Sequence, residues 1–453
     1  MKKPLPLAAG ATALLLSLPA AAQNAAAPVP EAPAQAAPSW LSYGGDLRIR
    51  HEAFDQLPAA APLGDYWSYF RFRARAFMKA ERDDFTFYLR AVNETRAMWD
   101  HHGGNSYPFP DELVFDQIYG EAKNLLDGKL RARVGRQDIM DLGSLRVLGE
   151  GTPGDGSRTF YFDAVRLTYT PVEKLDIDLV GAFNHYHDPL AVGKLKRDLN
   201  GNRSDESGAF AYVTDKRDAS FVREGYYIWK HESGDARRGI GGNTGRDTHT
   251  FGLRLLPKFT DTLSAEFEAA GQLGRTYDER DIHAFMLYGG LAQTFDPLAG
   301  CVPYVSAGAI MLSGDADESE GKVTAWNPVW GRLPAFGDLS GMQFPGMSFW
   351  YQNMIYPHVE AGVKGAGKSL RLQTGPMFAQ HVNGSDVPAD FAGDGRYRGW
   401  HFLAQAAHPL IAKPAGPLKK LDARAEAGCL LPGDYFADSK PVYFLRLEVM
   451  ASF

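Results

Sequence analysis

Cysteine is nearly absent. The 453 residues hold two, Cys301 and Cys429, too few for a disulfide framework or a thiolate zinc module. Basic excess is missing as well. The formal charge is −6, and it falls by two more if Lys2 and Lys3 are removed with a leader, which argues against a nucleic-acid partner. Past residue 22 no stretch of eighteen apolar residues occurs, so no membrane-spanning helix is expected. Amphipathic runs at 3.6-residue spacing, which a helical enzyme of this size would need, are almost wanting. Glycine (48) and aromatics (12%) are generous instead.

The amino terminus reads as a leader. Lys2 and Lys3 precede an apolar Leu5-to-Leu18 stretch, and Ala20-Ala21-Ala22 before Gln23 has the small residues of a cleavage site, so residues 1–22 are expected to be a secretory signal. No cysteine stands near that point to carry a lipid anchor. Residues 23–39, mostly Ala and Pro, are expected to be a flexible linker, and 40–453 the folded part.

What recurs there is period 2. LSYGGDLRIRHE sets Leu41, Tyr43, Leu47 and Ile49 against Asp46, Arg48, Arg50 and Glu52. YFRFRARAFMK sets Phe70, Phe72, Ala74 and Ala76 against Arg71, Arg73 and Arg75, and LRARV, LSAEFEAAGQL and LDARAEAG repeat the pattern. Long alternation of charges with aliphatics is the signature of a membrane β-barrel; strands of a soluble sandwich run shorter, about five or six residues. Short turns such as ERDD (81–84), LLDGK (125–129), PVEK (171–174), PKFTD (257–261) and GAGK (365–368) alternate with long polar stretches such as 100–112, 187–207 and 313–346. The expected fold is therefore all-β: one antiparallel transmembrane barrel with short periplasmic turns and long outer loops. Its eighteen strands centre near 47, 74, 90, 118, 134, 165, 180, 211, 226, 252, 268, 287, 306, 357, 374, 402, 425 and 447, with sixteen as the fallback if the pair at 211 and 226 fails. Tyr43, Phe70, Phe72, Phe85, Phe87, Tyr169, Phe183 and Tyr443 lie near strand ends, where aromatic girdles sit.

Several stretches resemble the alginate-export family of outer-membrane barrels: GGDLRIRHEAFD, LRARVGRQDI, RTFYFDAVRLTYTP, SGDADESEGKVTAWNPVWGRLP and LLPGDYF, in that order across roughly 41–453. The resemblance implies an eighteen-stranded barrel whose arginine-lined lumen passes an anionic polysaccharide, alginate-like or otherwise. Arg136 and Arg158 are its motif-matched positions.

Alternation by itself places Arg48, Arg50, Arg71, Arg73, Arg75, Arg90, Arg131, Arg133 and Arg166 of the first six strands inside the barrel, with Asp46, Glu52 and Glu121 as their inward acids. Later strands reverse the balance. There Asp176, Asp178, Glu224, Glu266, Glu268, Glu360, Asp422, Glu426 and Glu448 face in against Arg254, Arg371, Arg424 and Arg446. Guanidinium forks match carboxylates, and a row of weak sites suits conduction better than one tight site. The competing reading is that these arginines pair with acids on neighbouring strands and merely hold the wall together.

Other clusters carry less. Asp315 and Asp317 sit in an acidic loop, but Glu320 stands where a calcium loop wants glycine. His185, His187 and Asp188 lack a third metal ligand, as do His101 and His102. His381, Asn383 and Ser385 lack a nucleophile elbow, so no enzyme and no cofactor is expected. Cys301 and Cys429 are placed near opposite rims, too far apart to bridge.

The expected activity is that of a monomeric outer-membrane channel for an anionic sugar polymer or smaller anionic solutes. Outer-membrane lipid and the barrel-assembly machinery are its partners. A general diffusion porin and a barrel plugged by the 313–346 loop are the alternatives. The last residues, PVYFLRLEVMASF, keep an apolar alternate face up to Phe453. They should close the barrel against the first strand, because an open edge has no place in lipid. A terminal aromatic there resembles an assembly signal, so deleting Phe453 is expected to lower the amount of barrel reaching the membrane.

Overall fold

A computed structural model describes residues 40–55, 66–100, 112–149, 161–185, 188–193, 204–234, 245–316, 321–331, 336, 337, 339, 352–382, 392–411, 413–437 and 440–453. The strands are β1 (Leu41–Asp55), β2 (Tyr66–Arg82), β3 (Phe85–Asp100), β4 (Glu112–Leu125), β5 (Leu130–Gln137), β6 (Phe162–Val172) and β7 (Leu175–Asn184). A three-residue β8 (Ala191–Gly193) precedes β9 (Glu206–Asp215), β10 (Phe221–Glu232), β11 (Arg246–Pro257), β12 (Leu263–Thr276), β13 (Asp281–Thr294) and β14 (Val302–Leu312). A two-residue β15 (Lys322–Val323) is followed by β16 (Met354–Gly365), β17 (Lys368–Phe378), β18 (Tyr397–Pro409), β19 (Lys420–Pro432) and β20 (Val442–Ser452).

Without the short β8 and β15, eighteen strands pair antiparallel with their neighbours, and β1 pairs with β20 to close the ring. The two strands around 211 and 226 are present as β9 and β10, so the sixteen-strand fallback falls away. At the seam Asp46 stands opposite Ser452 and Asp55 opposite Tyr443. Phe453 extends the pairing: its N–H donates to the Gly45 carbonyl at 2.9 Å. A side chain on Gly44 would collide with the Phe453 carbonyl and the Phe77 ring, which is why a small residue is needed at the join.

The tight turns have a local cause. Asp83, Lys174 and Ala366 take φ of 53°, 65° and 51°, the left-handed backbone that two-residue hairpins require. All of these turns lie on one rim, and the long connections on the other.

Alternation sorts the two faces as expected. Leu47, Ile49, Phe251, Leu253, Leu291, Val359 and Leu447 are exposed on the outer wall, while Arg48, Arg50, Glu52 and Glu448 are buried within. Tyr43, Phe72, Phe85, Phe87, Tyr169, Phe183 and Tyr443 are also exposed outside, near strand ends. This exposed apolar surface is the band a bilayer covers.

The lumen is not empty. Residues 138–149 leave β5 and turn inward, burying Ile139, Leu142, Val147 and Leu148. The described part of the 313–346 loop turns inward too, burying Trp326, Val329, Trp330, Phe336 and Leu339. The two segments meet inside: the Trp330 N–H donates to the Val147 carbonyl at 3.1 Å, and Leu148 bridges Trp330. Wall side chains hold them. Trp330 Nε1 donates to Glu206 at 2.9 Å and Lys230 Nζ to the Val329 carbonyl at 2.9 Å. Gln272 brackets Asn327, donating to its carbonyl at 2.7 Å and accepting from its N–H at 3.0 Å. The Trp330 ring packs edge-on against Phe162. These contacts form an apolar core inside the barrel at its long-loop half.

Candidate functional site

The first wall of the lumen is built on β20, β1 and β2. Strand register sets Arg48 opposite Arg73 and Arg50 opposite Arg71. Like charges directly across a strand pair repel, so acids must interleave, and they do. Glu52 lies 3.3 Å from Arg50, 3.3 Å from Arg71 and 2.9 Å from Arg446. Glu448 lies 2.6 Å from Arg50 and 3.7 Å from Arg48. Glu94 lies 3.1 Å from Arg71 and 3.5 Å from Arg48, while Asp46 takes Arg75 at 2.8 Å and Arg73 at 3.5 Å.

The next sector follows the same rule. Arg90 meets Asp116 at 2.9 Å and Asp138 at 3.2 Å, and Arg133 meets Glu121 at 2.6 Å. Arg166 is held at 2.8 Å by both Asp141 and Asp178. Arg131 differs: among the described residues it donates only to the Thr168 hydroxyl, at 3.5 Å. Arg158 and Asp317 lie outside the described residues, as do His101, His102, His187, Asn383 and Ser385. Asp315 is buried and accepts from the Thr324 N–H at 3.2 Å. Among the described residues no three His, Cys, Asp or Glu side chains converge as a metal site. Cys301 opens β14 at the short-turn rim and Cys429 lies in the long-loop half of β19, both as free thiols.

Two expectations need correction. The inward acids of the arginine sector are not only Asp46, Glu52 and Glu121. Glu94 shares the Arg90 face by simple alternation. Asp116 is turned inward by a register shift between β3 and β4 at Arg90/Ala91, since a bulge puts two successive side chains on one face. Asp138 and Asp141 arrive on the inward-turned loop. The second correction is Arg136, which is no member of the inward row. It stands opposite Asp163, three residues from Arg133, and so on the other face of β5. Its guanidinium is held there by Asp163 at 2.8 Å, Asp188 at 2.9 Å and the Tyr161 ring at 3.8 Å.

The residue that sequence reading missed is Arg146. It rides on the inward loop, and its Nη1 reaches Glu266 at 2.6 Å and Glu268 at 2.7 Å on β12. Its Cζ lies 3.5 Å from the Tyr288 ring centroid, while Ser144 donates to the same Glu268. Glu266 also takes Arg254 at 2.8 Å. Glu224 accepts from Arg254 and Tyr212, and Glu268 from Tyr226. The acid-rich side of the lumen is thus the socket for one cation of the inward loop, Arg146. The available signal was the apolar run in IMDLGSLRVLG, too greasy for an outer loop.

The sequence profile of the alginate export family matches residues 39–347. The chain belongs to the alginate export family. No curated protein matches. Among solved structures, Acinetobacter baumannii OccAB1 is 10% identical at a TM-score of 0.55, covering 91% of this chain and 96% of that one. Pseudomonas aeruginosa OccK5 (OpdH) is 11% identical at 0.54, covering 91% and 98%. Pseudomonas aeruginosa OccK11 (OpdR) is 12% identical at 0.51, covering 91% and 96%. These likenesses concern the fold. Family and fold together make this alginate-export protein an outer-membrane channel, and its lumen is the site where a solute meets side chains.

Asp138 gives that lumen a pH response. Burial raises its carboxyl to about 6, with Arg90 opposing and Asp116 adding to the rise. Between roughly pH 4 and 6 the folded chain therefore holds a proton that the unfolded chain has released, and this group's contribution to stability falls as pH rises through that window. The lumen also loses one negative charge on acidification through about 6. Anion preference, read as a reversal potential in a salt gradient, is expected to be greater at pH 5 than at pH 7.5, and Asp138→Asn should flatten the difference. An unchanged pH profile in that variant would count against the assignment.

Proposed function

We propose that the chain is a channel for anionic solutes, namely sugar acids and an anionic, alginate-like sugar polymer. The observation that carries this reading is the basic wall of β20, β1 and β2. There Arg48, Arg50, Arg71, Arg73, Arg75 and Arg446 face the lumen against Asp46, Glu52, Glu94, Glu426 and Glu448, an excess of guanidinium over carboxylate. Interleaved acids do not cancel its use. They hold each fork in place and weaken any single anion site, which conduction favours. Arg90, Arg131, Arg133 and Arg166 continue the track; Arg158 would join it by family resemblance.

The test is selectivity in planar bilayers. Wild type is expected to prefer anions. The triple variant Arg71→Ala, Arg73→Ala, Arg75→Ala strips three cations from Asp46, Glu52 and Glu94 and should become cation-selective. A cation-selective wild type whose reversal potential does not move in the triple variant would overturn the proposal.

The inward segments favour a second reading, a barrel shut at rest by 138–149 and 321–331. Liposome swelling separates the cases: a permanent plug swells with no sugar, a general porin with neutral and acidic sugars alike, and a selective channel mainly with acids. The leader at 1–22 and Phe453 at the seam fit delivery to the outer membrane and recognition by its assembly machinery. A mature protein starting elsewhere than Gln23, or full surface yield without Phe453, would argue against those two roles.

A further inference from the structure

The short-turn rim is unevenly charged. Among the described strands eight connections lie on it. Six carry an acid, at Asp83, Asp127, Glu173, Asp218, Asp261 and Asp296. The two that lack one are neighbours, 366–367 between β16 and β17 and 410–419 between β18 and β19. A side chain added at Gly367 would lie 3.7 Å from Pro409, so these two turns sit side by side. The second is the longest of the eight and reads LIAKPAGPLK, lysines and apolar residues with two prolines. Its tip closes on itself: Ala415 and Leu418 exchange backbone hydrogen bonds at 2.9 and 3.1 Å around Gly416, whose φ is 59°.

We infer that this corner of the rim binds the head group of an anionic diacyl phospholipid in the inner leaflet of the membrane. Three cations call for an anion. Lys368, Lys413 and Lys419 are exposed, and among the described residues their ammonium groups join no ion pair. Their neighbours are engaged elsewhere: Lys420 joins Asp422 at 2.6 Å and Lys364 lies 5.7 Å from the Tyr304 ring, both on the lumen side. The chain-terminal carboxylate of Phe453 stands next to Ser452, whose carbonyl accepts from the Lys419 N–H at 2.8 Å; three lysines outnumber it. Position selects a lipid over an acidic protein. Lys368 stands two residues before Leu370 on β17, and Lys419 two before Leu421 on β19. Alternation therefore puts both lysines on the outer face, where the apolar band ends. Leu370 and Leu410 are 43% and 46% exposed there. A lysine stem lies along apolar surface while its ammonium reaches the head-group layer, and cations grouped at a membrane surface attract anionic lipid. Nothing in this depends on which solute the lumen prefers.

The experiment is native mass spectrometry of the detergent-solubilised barrel with phosphatidylglycerol or phosphatidylcholine added at matched concentrations. Three proteins are compared: wild type, the triple variant Lys368→Gln, Lys413→Gln, Lys419→Gln, and a control triple Lys174→Gln, Lys216→Gln, Lys258→Gln, which removes the same charge from turns that hold an acid. Resistance of the folded band to detergent at room temperature confirms that each is a closed barrel. Wild type is expected to retain phosphatidylglycerol in preference to phosphatidylcholine. The first triple should weaken phosphatidylglycerol retention at least about fivefold, the worth of a single lysine at an anionic surface, and leave phosphatidylcholine unchanged. The control triple should behave as wild type. Equal retention of the two lipids by wild type, or equal losses in the two triples, would overturn the site. Undiminished phosphatidylglycerol retention in the first triple would overturn it too, and would assign the lysines to an acidic protein instead.

Discussion

Replacing Arg146 with alanine is expected to raise the single-channel current severalfold. Among the described residues Arg146 is the one ion-pair partner of Glu268, whose carboxylate is otherwise served by the Ser144 and Tyr226 hydroxyls. Removing one partner of a buried pair costs about 3–5 kcal/mol, because the other charge is stranded. The lumen offers a way to relieve that cost. Water enters to solvate Glu268, and the loop carrying Leu142, Val147 and Leu148 lifts from the wall. Trp330 is joined to Val147, so the second inward segment loosens with the first. Arg146→Lys keeps the charge but not the planar guanidinium that stacks on Tyr288, and should lie between alanine and wild type. Adding Glu268→Gln to Arg146→Ala removes the stranded charge. Thermal stability should partly return while the current stays high, a non-additive pair of the kind expected for contacting residues. An Arg146→Ala channel with wild-type current would show that the loop is not the constriction.

Glu52→Ala is expected to lower the temperature at which the folded band is lost on a detergent gel more than any surface change. Glu52 is 2% exposed and joins Arg50, Arg71 and Arg446, and it stands directly opposite Arg446 across the seam. Its loss leaves Arg50, Arg71 and Arg446 with Glu448, Glu94 and Glu426 as their remaining acids and no carboxylate between them where the barrel closes, a cost approaching the roughly 3–5 kcal/mol of a broken buried pair. Glu52→Gln keeps the shape but not the charge, and should recover little. The comparison is Asp83→Asn. Asp83 pairs with Arg82 at 3.8 Å in an exposed turn, and such pairs are worth less than about 1 kcal/mol. Equal shifts for Glu52→Ala and Asp83→Asn would mean that the seam does not depend on this cluster.

The two predictions differ in how readable their residues were. Glu52 is visible from alternation in LRIRHE alone, because a β-strand sends successive side chains to opposite faces and a membrane tolerates only one kind outward. The same rule located all eighteen strands and the exposed aromatics near strand ends. It failed where its premise failed. At Asp116 a bulge breaks the period. At Arg136 an odd spacing from Arg133 turned the side chain to the opposite face. Asp138, Asp141 and Arg146 lie beyond the end of β5, where no period constrains direction.

Sequence alone therefore determined the barrel, its closure through Phe453 and the chemistry of its wall, because bilayer and backbone hydrogen bonding leave a strand one acceptable orientation. Only the tertiary structure decided what fills the lumen. Whether an apolar loop lies over the rim or folds inside depends on sockets such as Glu266, Glu268, Glu206 and Gln272, which are far from it in sequence. The burial energy that draws it in exists only once the ring has closed.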